Sequence, residues 1–120
     1  MKAGNRTPGA RLRIVARTDV AIGPGRADIL EGIGEAGSIA AAARRMAMSY
    51  KRAWHLVAAM NAAFGAPLVE TARGGRAGGH ATLTPLGAEV LARYRRMEAL
   101  TESAIATEIA ALERILPPER

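Results

Sequence analysis

At 120 residues and 12.6 kDa the chain has room for one domain and a single core, and too little length for a reader domain plus a full sensor domain. It has no Cys, which excludes disulfide frameworks and thiolate metal sites; no apolar run approaches a membrane span and no apolar stretch at the start serves secretion, so a cytoplasmic location with no membrane partner is expected. Its 17 Lys and Arg against 11 Asp and Glu, for a net charge of +6, favour an anionic partner, nucleic acid first, although many proteins are basic only for solubility.

The distribution of that charge is more telling than its sum. Residues 1–80 hold twelve basic groups against five acidic ones, for +7, whereas residues 81–120 hold five against six, for −1. The first two thirds therefore face an anion, and the last third is built for another purpose.

In chain order, residues 1–10 lack periodicity and contain Gly4, Pro8 and Gly9, as expected of a flexible basic tail. Alternation from Arg11, with Leu12, Ile14 and Ala16 on one face, predicts a half-buried strand, and Thr18-Asp19 turns the chain into a shorter strand over Val20 to Ile22. Gly23-Pro24-Gly25 then breaks the chain before a helix over Arg26 to Ala36, which Gly37 closes. Ser38 caps a second helix from Ile39 to about Met46, whose run of four alanines lets a neighbouring helix approach closely. Ser49 caps a third from Tyr50 to about Ala63, with Ala53, Val57, Met60 and Phe64 as its core stripe. The turn between these two helices, Ala47-Met48, lacks the glycine that such turns favour. Strands over Leu68 to Thr71 and Ala81 to Leu83 flank a Gly-rich basic loop, and Thr84-Pro85 opens a long helix that runs to about Leu116, before Pro117-Pro118.

Two constellations carry chemistry. At the start of the third helix, Ser49, Tyr50, Lys51, Arg52 and His55 place hydroxyls, cations and an imidazole off the core stripe, where a helix in the DNA major groove makes its base contacts. The bland alternative is a solvated basic face. Trp54 is assigned to helix packing. The loop from Arg73 to His80 combines Arg73 and Arg76 with Gly74, Gly75, Gly78 and Gly79, so that backbone and long cations can both approach a phosphate chain; here the alternative is a merely flexible hairpin tip. It matches neither the GxxxxGK[ST] nor the GxGxxG nucleotide pattern.

The last helix, at about 48 Å for 32 positions, exceeds what its own core requires. Val90, Tyr94 and Met97, then Ile105, Ile109, Leu112 and Leu116, recur at helical spacing and are the candidate contacts of a homodimer. The alternative is a helix that bends back on its own domain. No Ser/His/Asp set, paired carboxylates or metal-ligand cluster suggests catalysis, and neither a metal nor a cofactor is expected.

From Gly37-Ser38-Ile39 through Met48-Ser49-Tyr50-Lys51-Arg52-Ala53-Trp54, then Met60-Asn61, Leu68-Val69-Glu70 and Leu83-Thr84-Pro85-Leu86-Gly87, the chain resembles the N-terminal DNA-binding domain of the ModE-type molybdenum-responsive regulators. The Gly-Ser-Ile-Ala-Ala-Ala-Ala and Leu-Thr-Pro-Leu-Gly runs also resemble the winged helix of LysR-type regulators. These resemblances imply an α+β, mainly α, winged helix-turn-helix that binds double-stranded DNA as a dimer. They place Ser49, Tyr50, Lys51, Arg52 and His55 on the recognition helix and Arg73 through His80 on the wing; with Ser38, these are the candidate DNA contacts. ModE-type regulators also carry C-terminal molybdate-binding domains, whereas this sequence stops at Arg120, so molybdate sensing does not transfer and a single-domain protein is expected. The expected organisation is a tail (1–10), an N-terminal hairpin with the winged helix-turn-helix (11–84) and a dimerisation helix (85–116). The rival functions are a protein-docking module and an oxyanion sensor; for the latter the sequence locates no cationic pocket.

Overall fold

A computed structural model describes residues 9–17, 20–72 and 79–119. Two short strands, β1 (Ile14–Ala16) and β2 (Val20–Ile22), pair antiparallel with Ile14 opposite Ile22. Three helices follow, α1 (Pro24–Ala36), α2 (Ile39–Arg45) and α3 (Tyr50–Phe64); then an antiparallel ribbon of β3 (Val69–Ala72) and β4 (His80–Leu83); then α4 (Pro85–Ile115). The architecture is the expected one: mainly helical, a helix-turn-helix followed by a two-stranded wing, with a hairpin before and a long helix after.

Local chemistry accounts for most boundaries. Ser38, Ser49 and Thr84 each cap a helix, their hydroxyl oxygens accepting from the backbone N–H of Ala41, Arg52 and Gly87 at 3.0–3.1 Å. Gly37 and Gly65 end α1 and α3 in the left-handed region, with φ of 78° and 69°. Helix α1 begins two residues before the expected Arg26, because Pro24 occupies its first position, where a fixed φ and a missing N–H cost nothing. In the turn after α2 the absent glycine has a consequence: Ala47 itself takes φ 54°, a conformation that costs a side-chain-bearing residue about 1–2 kcal/mol.

The core lies where α1, α2, α3 and the base of the ribbon meet, and includes Ile29, Leu30, Ile33, Ala42, Ala43, Ala53, Met60, Leu68 and Ala81. The alanine run of α2 does admit a close neighbour: a Cβ on Gly32 of α1 would stand 3.1 Å from that of Ala42. Packing continues into α4. A Cβ on Gly87 would meet the Leu68 carbonyl oxygen at 2.0 Å, Tyr94 is fully buried, and Val90, Leu91 and Met97 rest on the core. The first turns of α4 therefore pack as one body with the 11–84 unit, while the remainder projects from it and lengthens the molecule to 56 × 35 × 20 Å.

Two polar clamps hold this arrangement. Asn61 on α3 accepts from the N–H groups of Leu68 and Val69 and donates to the Val69 carbonyl, tying the wing to the helix. Arg95 on α4 binds Asp28 and Glu31 of α1 at 2.8 and 3.0 Å and Glu98 at 2.9 Å. These three carboxylates outweigh the cost of its partial burial and hold its pKa above the ordinary arginine value. No helix among the described residues is long and apolar enough to cross a membrane.

Candidate nucleic-acid interface

Helix α3 buries Ala53, Val57 and Met60, with Phe64 half-buried, as its spacing predicts. At 3.6 residues per turn the side directly opposite carries Lys51, His55, Ala58 and Ala62, flanked by Arg52 and Trp54. Lys51, Arg52 and His55 are exposed, and Tyr50 beside them is 55% exposed. The helix contains no acidic residue, so nothing in its own sequence neutralises these cations or the positive end of its dipole. The hydroxyl oxygens of Ser38 and Ser49 are engaged as helix caps, accepting from the N–H groups of Ala41 and Arg52.

Trp54 departs from expectation. Its assignment to packing is corrected by a residue that is 48% exposed, because position 54 lies about a quarter-turn off the buried stripe and nothing among the described residues closes over that flank. The His55 ring meets the indole edge-on, with centroids 5.5 Å apart and planes at 83°.

Sequence reasoning also missed a cationic ledge beside α3. Arg13 of the hairpin, Arg26 of α1 and Arg52 of α3 line one concavity of about 270 Å³ together with Gly23, Gly25, Met48 and Leu56. The N-terminus of α1 borders it, with Gly23 as an N-cap that has no side chain to satisfy the first N–H groups and no acid in the first turn. Such a set of donors suits a phosphate. Arg13 and Arg52 are 39 positions apart in the chain, and only the packing of the hairpin against the helix-turn-helix joins them.

On the wing, Gly79 and His80 are exposed, and His80 opens β4 opposite Ala72 instead of belonging to the loop. Arg73, Gly74, Gly75, Arg76 and Gly78 lie outside the described residues. The candidate dimer contacts divide. Tyr94, fully buried, belongs to the chain's own core and not to a surface open to a second chain, its hydroxyl donating to the Leu12 carbonyl; Val90 and Met97 are partly buried against the same core. Burial pushes the Tyr94 phenol up to about 12, with the nearby Glu98 carboxylate adding to the shift. Ile105 and Ile109 are half-exposed, and Leu112 and Leu116 are each 63% exposed. Among the described residues no group of three or more His, Asp or Glu side chains is placed to hold a metal.

Residues 26–88 match the sequence model of the bacterial regulatory helix-turn-helix proteins, lysR family. The chain is 48% identical over 90 residues to the molybdenum-pterin-binding protein MopB of Rhodobacter capsulatus, an alignment that covers 75% of this chain and 33% of that one. It is 38% identical over 96 residues to the molybdenum transport protein ModE of Azotobacter vinelandii (80% and 36%) and 36% identical over 81 residues to the DNA-binding transcriptional dual regulator ModE of Escherichia coli K12 (68% and 31%). The chain thus spans about a third of the length of these curated relatives. Among solved structures it resembles the crystal structure of the CbnR_DBD-DNA complex, with a TM-score of 0.58 and 27% identity over 73% of this chain and 95% of that one.

Proposed function

Because the chain belongs to the bacterial regulatory helix-turn-helix proteins of the lysR family, we propose that it is a transcriptional regulator that binds double-stranded DNA sequence-specifically as a homodimer, with α3 in the major groove. The observation that carries this reading is the outward face of α3: a capped, acid-free helix that presents Lys51, Arg52 and His55 away from a buried stripe. In this arrangement Lys51 and Arg52 donate to guanine edges, which accept at O6 and N7. Arg13, Arg26 and the end of α1 hold a phosphate at one side, and Arg73 and Arg76, which lie outside the described residues, add further backbone contacts. These contacts set orientation, while the base edges set sequence. The stripe of Ile105, Ile109, Leu112 and Leu116, half-buried at the two isoleucines and exposed at the two leucines, pairs with its copy in a second chain, so that two α3 helices address half-sites about one DNA turn, or roughly 34 Å, apart.

The test is a salt titration of binding to duplexes selected from a random pool, for the wild type and for Lys51→Ala and Arg52→Ala. Affinity falls steeply with salt, and each substitution weakens the selected duplex by about 1–3 kcal/mol while the fold survives, since both side chains lie off the core. Binding that ignores salt, or unaltered affinity in both variants, overturns the reading.

A further inference from the structure

Trp54 is the only tryptophan in a chain with just four Trp, Tyr and Phe residues, yet the fold leaves it half-exposed, forgoing the gain from burying an indole. It stands one turn after Tyr50, which is 55% exposed, and beside Lys51 and His55. The next turn on this flank is Ala58, too small to shield the ring. The edge-on His55 ring limits the directions the indole can take. An exposed apolar ring could meet a protein or a nucleic acid, and its surroundings decide between them: α3 has two cations and no acid, which complements a polyanion.

In the major groove the apolar group on the base edges is the C5 methyl of thymine. We propose that Trp54 is a specificity-determining residue that packs its indole on a thymine methyl in each half-site, while Lys51 and Arg52 address neighbouring guanines. The proposal rests on the DNA-binding reading and adds the base class read by the aromatic flank. An indole offers one N–H donor and no acceptor, so its preference follows shape and apolar contact, and loss of the methyl alone should be felt.

Because there is one tryptophan, its fluorescence reports this site without interference. Binding of the selected duplex shifts the emission and lowers its quenching by iodide. Trp54→Ala, with folding checked by circular dichroism, loses about tenfold in affinity for the selected duplex, stays within about twofold on a mixed-sequence duplex, and regains most of the loss as Trp54→Phe. Replacing each thymine of the selected site in turn by deoxyuridine weakens the wild type at one position per half-site and leaves Trp54→Ala unaffected there. A selected duplex that binds without changing iodide access, or methyl removals that affect both proteins alike, overturns the thymine contact and leaves the DNA-binding reading standing. A Trp54→Ala variant with normal DNA affinity and altered self-association assigns the ring to a protein surface and overturns it too. Failure to bind any duplex overturns both readings.

Discussion

Between Gly87 and Met97, α4 lies against the backbone of Leu68, buries Tyr94 and reaches α1 through Arg95; from Leu100 to Leu116 the same helix leaves Leu100 at 56%, Leu112 at 63% and Ile115 at 76% exposure, with Ile105 and Ile109 half-buried. Both halves place apolar residues at helical spacing among charges. The difference between them shows that periodicity identifies a face and is silent on what covers it. The proximal half needs its own domain, and the distal half, in the proposed dimer, needs a second copy.

Substitutions can break this contrast. The largest effect is expected at Tyr94, where Tyr94→Ala removes a ring from the core and costs about 3–5 kcal/mol in chemical denaturation. The same residue has a pH signature. Its pKa is raised to about 12 from the ordinary value of 10.0, so its contribution is fully present below pH 10 and is lost as pH rises toward 12. Tyr94→Phe should lack that alkaline slope. A wild type and a Phe variant with parallel stability curves from pH 9 to pH 12 would refute burial of the phenol.

Next is Gly87→Ala. The added methyl would overlap the Leu68 carbonyl, and since backbone sits on both sides the helix must shift, at about 1–3 kcal/mol. A variant as stable as the wild type would show that α4 docks more loosely than the structure has it. The smallest effect on the fold is expected from Ile105→Glu with Leu112→Glu: about 0.5 kcal/mol or less in the stability of the isolated chain at dilution, together with conversion from dimer to monomer in sedimentation. A wild type that sediments as a monomer at micromolar concentration ends the proposed division of labour.

Much of the fold was legible because its signals are local. Ser38, Ser49, Thr84, Gly37 and Pro85 act within a turn of their own positions, and the core stripe of α3 is a matter of spacing, so the helix ends they mark and the buried face agreed with expectation, whereas α1 began two residues early at Pro24. The exposure of Lys51, Arg52 and His55, the proposed readers, was legible for the same reason: they are what remains on α3 once the stripe is removed. Trp54 was misassigned because a large aromatic near a stripe is usually covered, and whether it is covered depends on where other elements end. The roles of Asn61, Gly87 and Arg95 were not legible, since each acts on a segment that folding alone brings near.

By itself the sequence determined a basic, cysteine-free, mainly helical domain with a capped third helix that is basic at its start, a strand pair around a Gly-rich tip and a long final helix, because caps, periodicity and charge operate over a few residues. Tertiary structure decided which apolar stripes are already satisfied, which cations converge, and which aromatic is left outside. Arg13 joins Arg26 and Arg52, Tyr94 reaches the Leu12 carbonyl across 82 positions, and Trp54 stays half in solvent. Each of these outcomes depends on the relative placement of whole elements, which close packing of the shared core sets and no local pattern encodes.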